Sequence, residues 1–248
     1  MPFNRLVSAL AAASLLLAAC TSAPPTSLEA SRPTGTHAGA KLHLAAIRDN
    51  PVRLSAFLRA MPKGGDLHSH LSGAVYAESY IAWAAEDGLC LIVATQTVAA
   101  PPCDAAAGRP PIGEAVANAQ AYNDLIDALS VRNYERRRVS GHDQFFATFA
   151  RFGAAGQRRA ADMVAEVMAR AADQNVFYLE LMSSLGMHDA RQLGASVGWN
   201  DDPQRMLAKL RSAGLDDIAR DTAAGHARTM ESARRLLGCD ARPLPPKA

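Results

Sequence analysis

The sequence predicts a helix-rich α/β chain, and three observations lead there. Helical periodicity dominates from residue 41 onward. Two segments, 66–72 and 175–182, read instead as strands, and helical patterns lie between them. That alternation suggests parallel strands joined through helices. The chain is 49% hydrophobic, enough apolar side chain to build a core. Two strands do not close a (β/α)8 barrel, which takes eight within ~250 residues.

The N-terminal residues stand apart from this pattern. Arg5 supplies a positive charge, residues 6–17 an apolar run, and Leu17-Ala18-Ala19-Cys20 ends the segment. The run is shorter than the ~20 residues a membrane-spanning helix needs. Small residues before a cysteine resemble the lipobox read by bacterial lipoprotein signal peptidase. The resemblance implies that residues 1–20 form a lipoprotein signal segment, with Cys20 as the lipidated residue. It implies a lipid-anchored protein of the bacterial cell envelope, attached to a membrane. Thr21 after the cysteine points to the outer membrane, facing the periplasm. Residues 21–40, rich in small residues, Pro and Gly, read as a flexible tether, which leaves 41–248 as the folded domain.

Within that domain, 41–58 reads as a helix leading to a break at Met61-Pro62. Residues 76–86 form a second helical pattern, stopped by Gly88. Two Pro-Pro pairs make 91–111 a loop insertion. Helical patterns return over 112–129, 143–152 and 156–173, the last with Met163, Val164, Val167 and Met168 on one face. The 175–182 strand is apolar on both faces, as a buried parallel strand would be. Asp202-Pro203 is an N-cap and first-turn pair. A long helix over 215–237 has Gly238 as its C-cap, and 242–248 reads as a connection.

Beyond Cys20 there are Cys90, Cys103 and Cys239. None forms a C-x-x-C pair, which argues against a cysteine zinc site. In an oxidising compartment Cys90 and Cys103 can close a short loop, leaving Cys239 unpaired. The net charge of +2, without a basic stripe or basic-aromatic interleaving, excludes nucleic acid as a partner on electrostatic grounds.

The chemistry concentrates in Met61-Pro62-Lys63-Gly64-Gly65-Asp66-Leu67-His68-Ser69-His70-Leu71-Ser72-Gly73-Ala74. Residues two apart on a strand point to one face, so His68 and His70 present two imidazoles together, with Asp66 on the same side. Catalytic zinc binds neutral imidazole and takes three protein ligands plus an open position. The pair is therefore half a metal site, and such pairs also occur as plain surface histidines.

This segment resembles the first barrel strand of the adenosine deaminase family, closest to its secreted, growth-factor-like branch. The likeness continues through Tyr76-Ala77-Glu78-Ser79-Tyr80, Ser140-Gly141-His142-Asp143-Gln144-Phe145-Phe146-Ala147-Thr148-Phe149 and Tyr178-Leu179-Glu180-Leu181-Met182-Ser183, covering about 45–240. The resemblance implies the N-terminal part of a (β/α)8 TIM barrel, incomplete, with about two barrel strands. It implies a Zn2+ cofactor held partly by His68 and His70, and a purine nucleoside substrate deaminated hydrolytically, adenosine giving inosine and ammonia. Ser72 stands where typical members carry an Asp that contacts the ribose, and Gly73 matches a glycine beside the substrate. Phe145, Phe146, Phe149 and Phe152 resemble the aromatic helix walling the purine pocket, although Phe145, Phe149 and Phe152 also follow core spacing. The cytidine-deaminase signature, His-x-Glu with Pro-Cys-x-x-Cys, is absent and excludes that fold.

The family's third zinc histidine, glutamate proton donor, second catalytic histidine and final aspartate have no match, so no catalytic residue is assigned. Gly225-His226-Ala227-Arg228 falls in a helical pattern, where His226 reads as a solvated residue. His188, His142, His43 and His37 lack partners at useful spacing. The leading reading is a truncated adenosine-deaminase-type hydrolase without turnover. A noncatalytic envelope lipoprotein module is the alternative, and a zinc amidohydrolase completed by a second chain is a third.

Overall fold

The computed structural model describes residues 37–239. Cys20, the signal segment and the Pro-rich 242–248 lie outside the described residues, as does the tether up to residue 36. The chain divides into two units, one ending at Leu58 and one beginning at Arg59. No helix among the described residues is long and apolar enough to cross a membrane.

The first unit holds α1 (His37–Ile47) and most of α2 (Pro51–Ala60). The single helix expected over 41–58 is thus two, and α1 begins inside the stretch read as tether. Pro51 explains the break, because the residue before a proline is pushed out of the helical region. Asn50 then caps α2 by accepting the Arg53 N–H at 3.1 Å. The rings of His43 and Phe57 meet at 5.5 Å, joining the two helices.

The second unit is a helix-rich α/β assembly with, among the described residues, few strands and no closed barrel. Strand β1 (Gly64–His70) starts and ends two residues earlier than expected, and a short helical turn, α3 (Leu71–Ala74), takes the chain off the sheet. Helix α4 (Ala77–Glu86) follows, terminated as predicted near Gly88, whose φ is +65°. The expected loop at 91–111 contains an antiparallel hairpin, β2 (Cys90–Ile92) and β3 (Thr97–Ala99). A disulfide between Cys90 and Cys103 staples it, and Cys239 is free and exposed.

The expected 112–129 helix is likewise divided, into α5 (Ile112–Ala115) and α6 (Ala119–Leu129). Asn118 makes the division by accepting the Gln120 and Ala121 N–H groups, which starts a new helix. A 3-10 turn (Tyr134–Arg137) leads to α7 (Gly141–Gly156), capped by the Ser140 hydroxyl on Asp143 N. Helix α8 (Ala160–Asp173) buries Met163, Val164 and Val167, as its spacing predicts. Between α4, α6, α7 and α8 lies the core, with Tyr80, Ala84, Leu125, Leu129, Phe152 and Val164 in its cluster.

Strand β4 (Val176–Met182) pairs in parallel with β1, His70 facing Met182. It is not buried on both faces as expected. Leu179 and Leu181 pack inward, while Phe177 is 74% and Tyr178 56% exposed. A two-stranded sheet has no further layer over the face of Tyr178 and Met182, and Phe177, near the strand's start on the face of Leu179 and Leu181, is left uncovered too. Helix α9 (Met187–Val197) occupies a stretch whose pattern predicts no element. Helix α10 (Pro203–Ser212) opens as predicted on Asp202, whose carboxylate accepts the Gln204 and Arg205 N–H groups. Helix α11 (Leu215–Leu236) ends in a Schellman arrangement, Cys239 N–H on Arg234 C=O and Gly238 N–H on Arg235 C=O.

Candidate functional site

Parallel strands leave their sheet at a common end, and there the loops after β1 and β4 meet. His68 and His70 lie at that end of β1, both exposed. Their Nε2 atoms are 3.2 Å apart, with ring planes tilted by 59°. Without a metal, one ring's N–H donates to the other's lone pair. With ligand bonds of ~2.05 Å, a 3.2 Å separation corresponds to an angle of about 103° at a shared ion, twice the arcsine of 1.6/2.05. That is close to the tetrahedral angle, so the pair fits two positions of a zinc ion. The fit stops at two: among the described residues no three His, Cys, Asp or Glu side chains are grouped to hold a metal. Asp66 does not support either ring in this structure. Its Oδ1 accepts the backbone N–H of His68 at 3.2 Å.

Ser72 and Gly73 are on α3, not on the strand, because the pairing ends at His70. The turn is fixed from below and from behind. Tyr80 Oη donates to the Ser72 carbonyl at 2.7 Å, and its buried ring stacks on Phe152 at 4.5 Å. Burial, reinforced by the charge of Glu166, pushes the Tyr80 hydroxyl far above its ordinary pKa, so it remains a donor. From α8, Glu166 Oε1 accepts the Tyr76 N–H at 2.9 Å and Arg170 Nη1 at 3.0 Å. Arg170 also donates to the Ala74 carbonyl and lies 4.2 Å over the Tyr76 ring. These contacts hold the chain that follows the histidines without touching the histidines.

Beside the turn is a cavity of about 500 Å³, lined by Tyr80, Phe149 and Phe152 together with Met182, Ser183 and His188. His70 and Ser72 also reach it, whereas His68 and Gly73 do not line it. Gly73 faces the Phe149 ring, and a Cβ there would approach Phe149 Cζ to 3.1 Å. The four phenylalanines divide by role. Phe152 belongs to the core and Phe149 walls the cavity, but Phe145 and Phe146 are exposed, edge to face at 5.2 Å.

His188 is the residue that spacing alone missed. It is 118 positions from His70 (188 − 70), and the two share a cavity because β1 and β4 run parallel, with His70 opposite Met182. Its place in the first turn after the second strand was the available signal. His226 is exposed on α11 and lines a separate, mainly apolar cavity of about 530 Å³ against α8 and β4. No protein-family model, curated protein or solved structure matches the chain.

Proposed function

We propose that this chain is the N-terminal portion of an adenosine-deaminase-type zinc hydrolase, carried in the bacterial envelope on a lipid at Cys20. The observation that carries the reading is the convergence of His68 and His70 Nε2 at 3.2 Å, at the end of a parallel strand and beside an aromatic cavity. His68 and His70 would hold the zinc. A bound zinc lowers the pKa of a coordinated water toward ~7 and so supplies a nucleophile at neutral pH. The chain's own residues shape the space: Phe149 bounds it for a flat purine, and α3, held by Tyr80 from within the core, sets Ser72 beside it. Ser72 offers a hydroxyl where typical members offer a carboxylate to the ribose. Purine binding is therefore retained in this reading and ribose selectivity is altered.

Turnover is not expected of the chain by itself, because among the described residues no third metal-ligating side chain is grouped with the pair. The first test reads the coding sequence beyond codon 248 in every frame. Strands bearing His, His-Ala-x-Glu and Asp support the reading, and their absence favours a noncatalytic lipoprotein module. That second reading is favoured by the missing third ligand group among the described residues. The second test follows adenosine absorbance with purified, zinc-loaded protein. Efficient deamination would refute the expected inactivity.

A further inference from the structure

Part of the cavity wall is built by the chain leaving β4. Met182, Ser183, Ser184, Leu185 and His188 all line the same cavity as Ser72 and Phe149. His188 stands at the exposed rim, in the first turn of α9. Its Nε2 lies 3.0 Å from the Gln192 side-chain nitrogen, one helical turn on. With the Gln192 amide nitrogen donating to Nε2, Nδ1 is left as the ring's donor toward a ligand. The cavity thus brings the Phe149 ring and the His188 imidazole to one space. A flat heterocycle with acceptor atoms along its edge matches both.

We propose that His188 is a ligand-binding residue of this cavity, donating its Nδ1–H to an acceptor atom of a purine nucleoside. The proposal rests on the purine-nucleoside reading of the site and adds to it a residue from the second strand's loop. It requires no metal and no later strand, because every group it uses lies among the described residues. Asparagine places an amide N–H near the position of Nδ1, whereas glutamine places one near Nε2. The two substitutions therefore separate the nitrogens.

The test is adenosine binding to the full chain, by titration calorimetry and ligand-observed NMR, for the wild type and the His188→Ala, His188→Asn, His188→Gln and His226→Ala variants. Loss of one hydrogen bond predicts about tenfold weaker binding for His188→Ala. His188→Asn should stay within about twofold of wild type, His188→Gln should be as weak as alanine, and His226→Ala should be unchanged. Equal affinity of wild type and His188→Ala overturns the role of His188 and leaves the nucleoside reading standing. Absence of adenosine binding by the wild type overturns both. Should the alanine variant fail to fold, the asparagine and glutamine pair decides, and equal loss in both overturns the Nδ1 donor.

Discussion

At Gly186, which opens α9 with φ at +70°, a Cβ would come within 2.2 Å of Thr222 Oγ1 on α11. Both backbone strain and a collision therefore oppose substitution there. Gly186→Ala is expected to cost about 2 kcal/mol in urea denaturation. Thr222→Ala should recover only the collision, because the positive φ persists. Gly73 poses a milder problem, since only the Phe149 ring would have to give way, by a few tenths of an ångström, and no positive φ adds strain. Asp87 gives a prediction in pH. Arg159 closes on it with two hydrogen bonds, at 2.6 and 3.2 Å, tying the end of α4 to the start of α8. The guanidinium holds the Asp87 carboxyl below its ordinary pKa. A depressed native pKa contributes stability above the unfolded value of about 3.9, and that stability is lost as pH falls through the native value. Asp87→Asn should lower stability at neutral pH and flatten the acid limb of a denaturation series. An unchanged acid limb would assign the acid sensitivity to other carboxylates.

The hairpin of β2 and β3 is held by the Cys90–Cys103 bond across a separation of 13 residues. Loop-closure entropy for a ring of that size is worth about 3 kcal/mol, so a Cys90→Ser, Cys103→Ser double variant should lose about that much. The measurement is equilibrium unfolding of the oxidised wild type against the variant. Asn118→Ala, which removes the α6 cap, should cost about 1 kcal/mol. These elements also mark what the sequence made legible. Ends with a local chemical cause were readable, as at Asp202-Pro203, Gly88 and Gly238. Asn50-Pro51 and Asn118 carry the same kind of signal, but continuous apolar periodicity on either side masked it. The disulfide pair was readable from chemistry and spacing, whereas the short strands inside it were too brief for periodicity to register. His68 and His70 were legible because their proximity is local to one strand. His188 was not, because its place depends on the pairing of β1 with β4. The exposure of β4 had no local signal: Tyr178 looks like core until the face it occupies is seen to lack a covering layer, and Phe177 until the packed face is seen to begin at Leu179.

For the whole second unit, the consequence is a sheet with open edges and aromatic side chains in water. Phe177, Tyr178 and Leu67 are each more than half exposed. Such a surface favours association. Light scattering should show particle size rising with protein concentration, and Phe177→Lys should suppress the rise. A monomer at all concentrations would count against this expectation. The pairing of β1 with β4 has one more outcome, in time. Between His70 and Val176 lie 105 residues (176 − 70 − 1), so the histidine strand is synthesised long before its neighbour. Bringing ends that far apart together costs about 4 kcal/mol in chain entropy, recovered only when α4 to α8 have condensed. During synthesis the two imidazoles therefore emerge on an unpaired ribbon. Amide exchange within β1 should slow only once β4 has left the ribosome, when the helices between them have already closed.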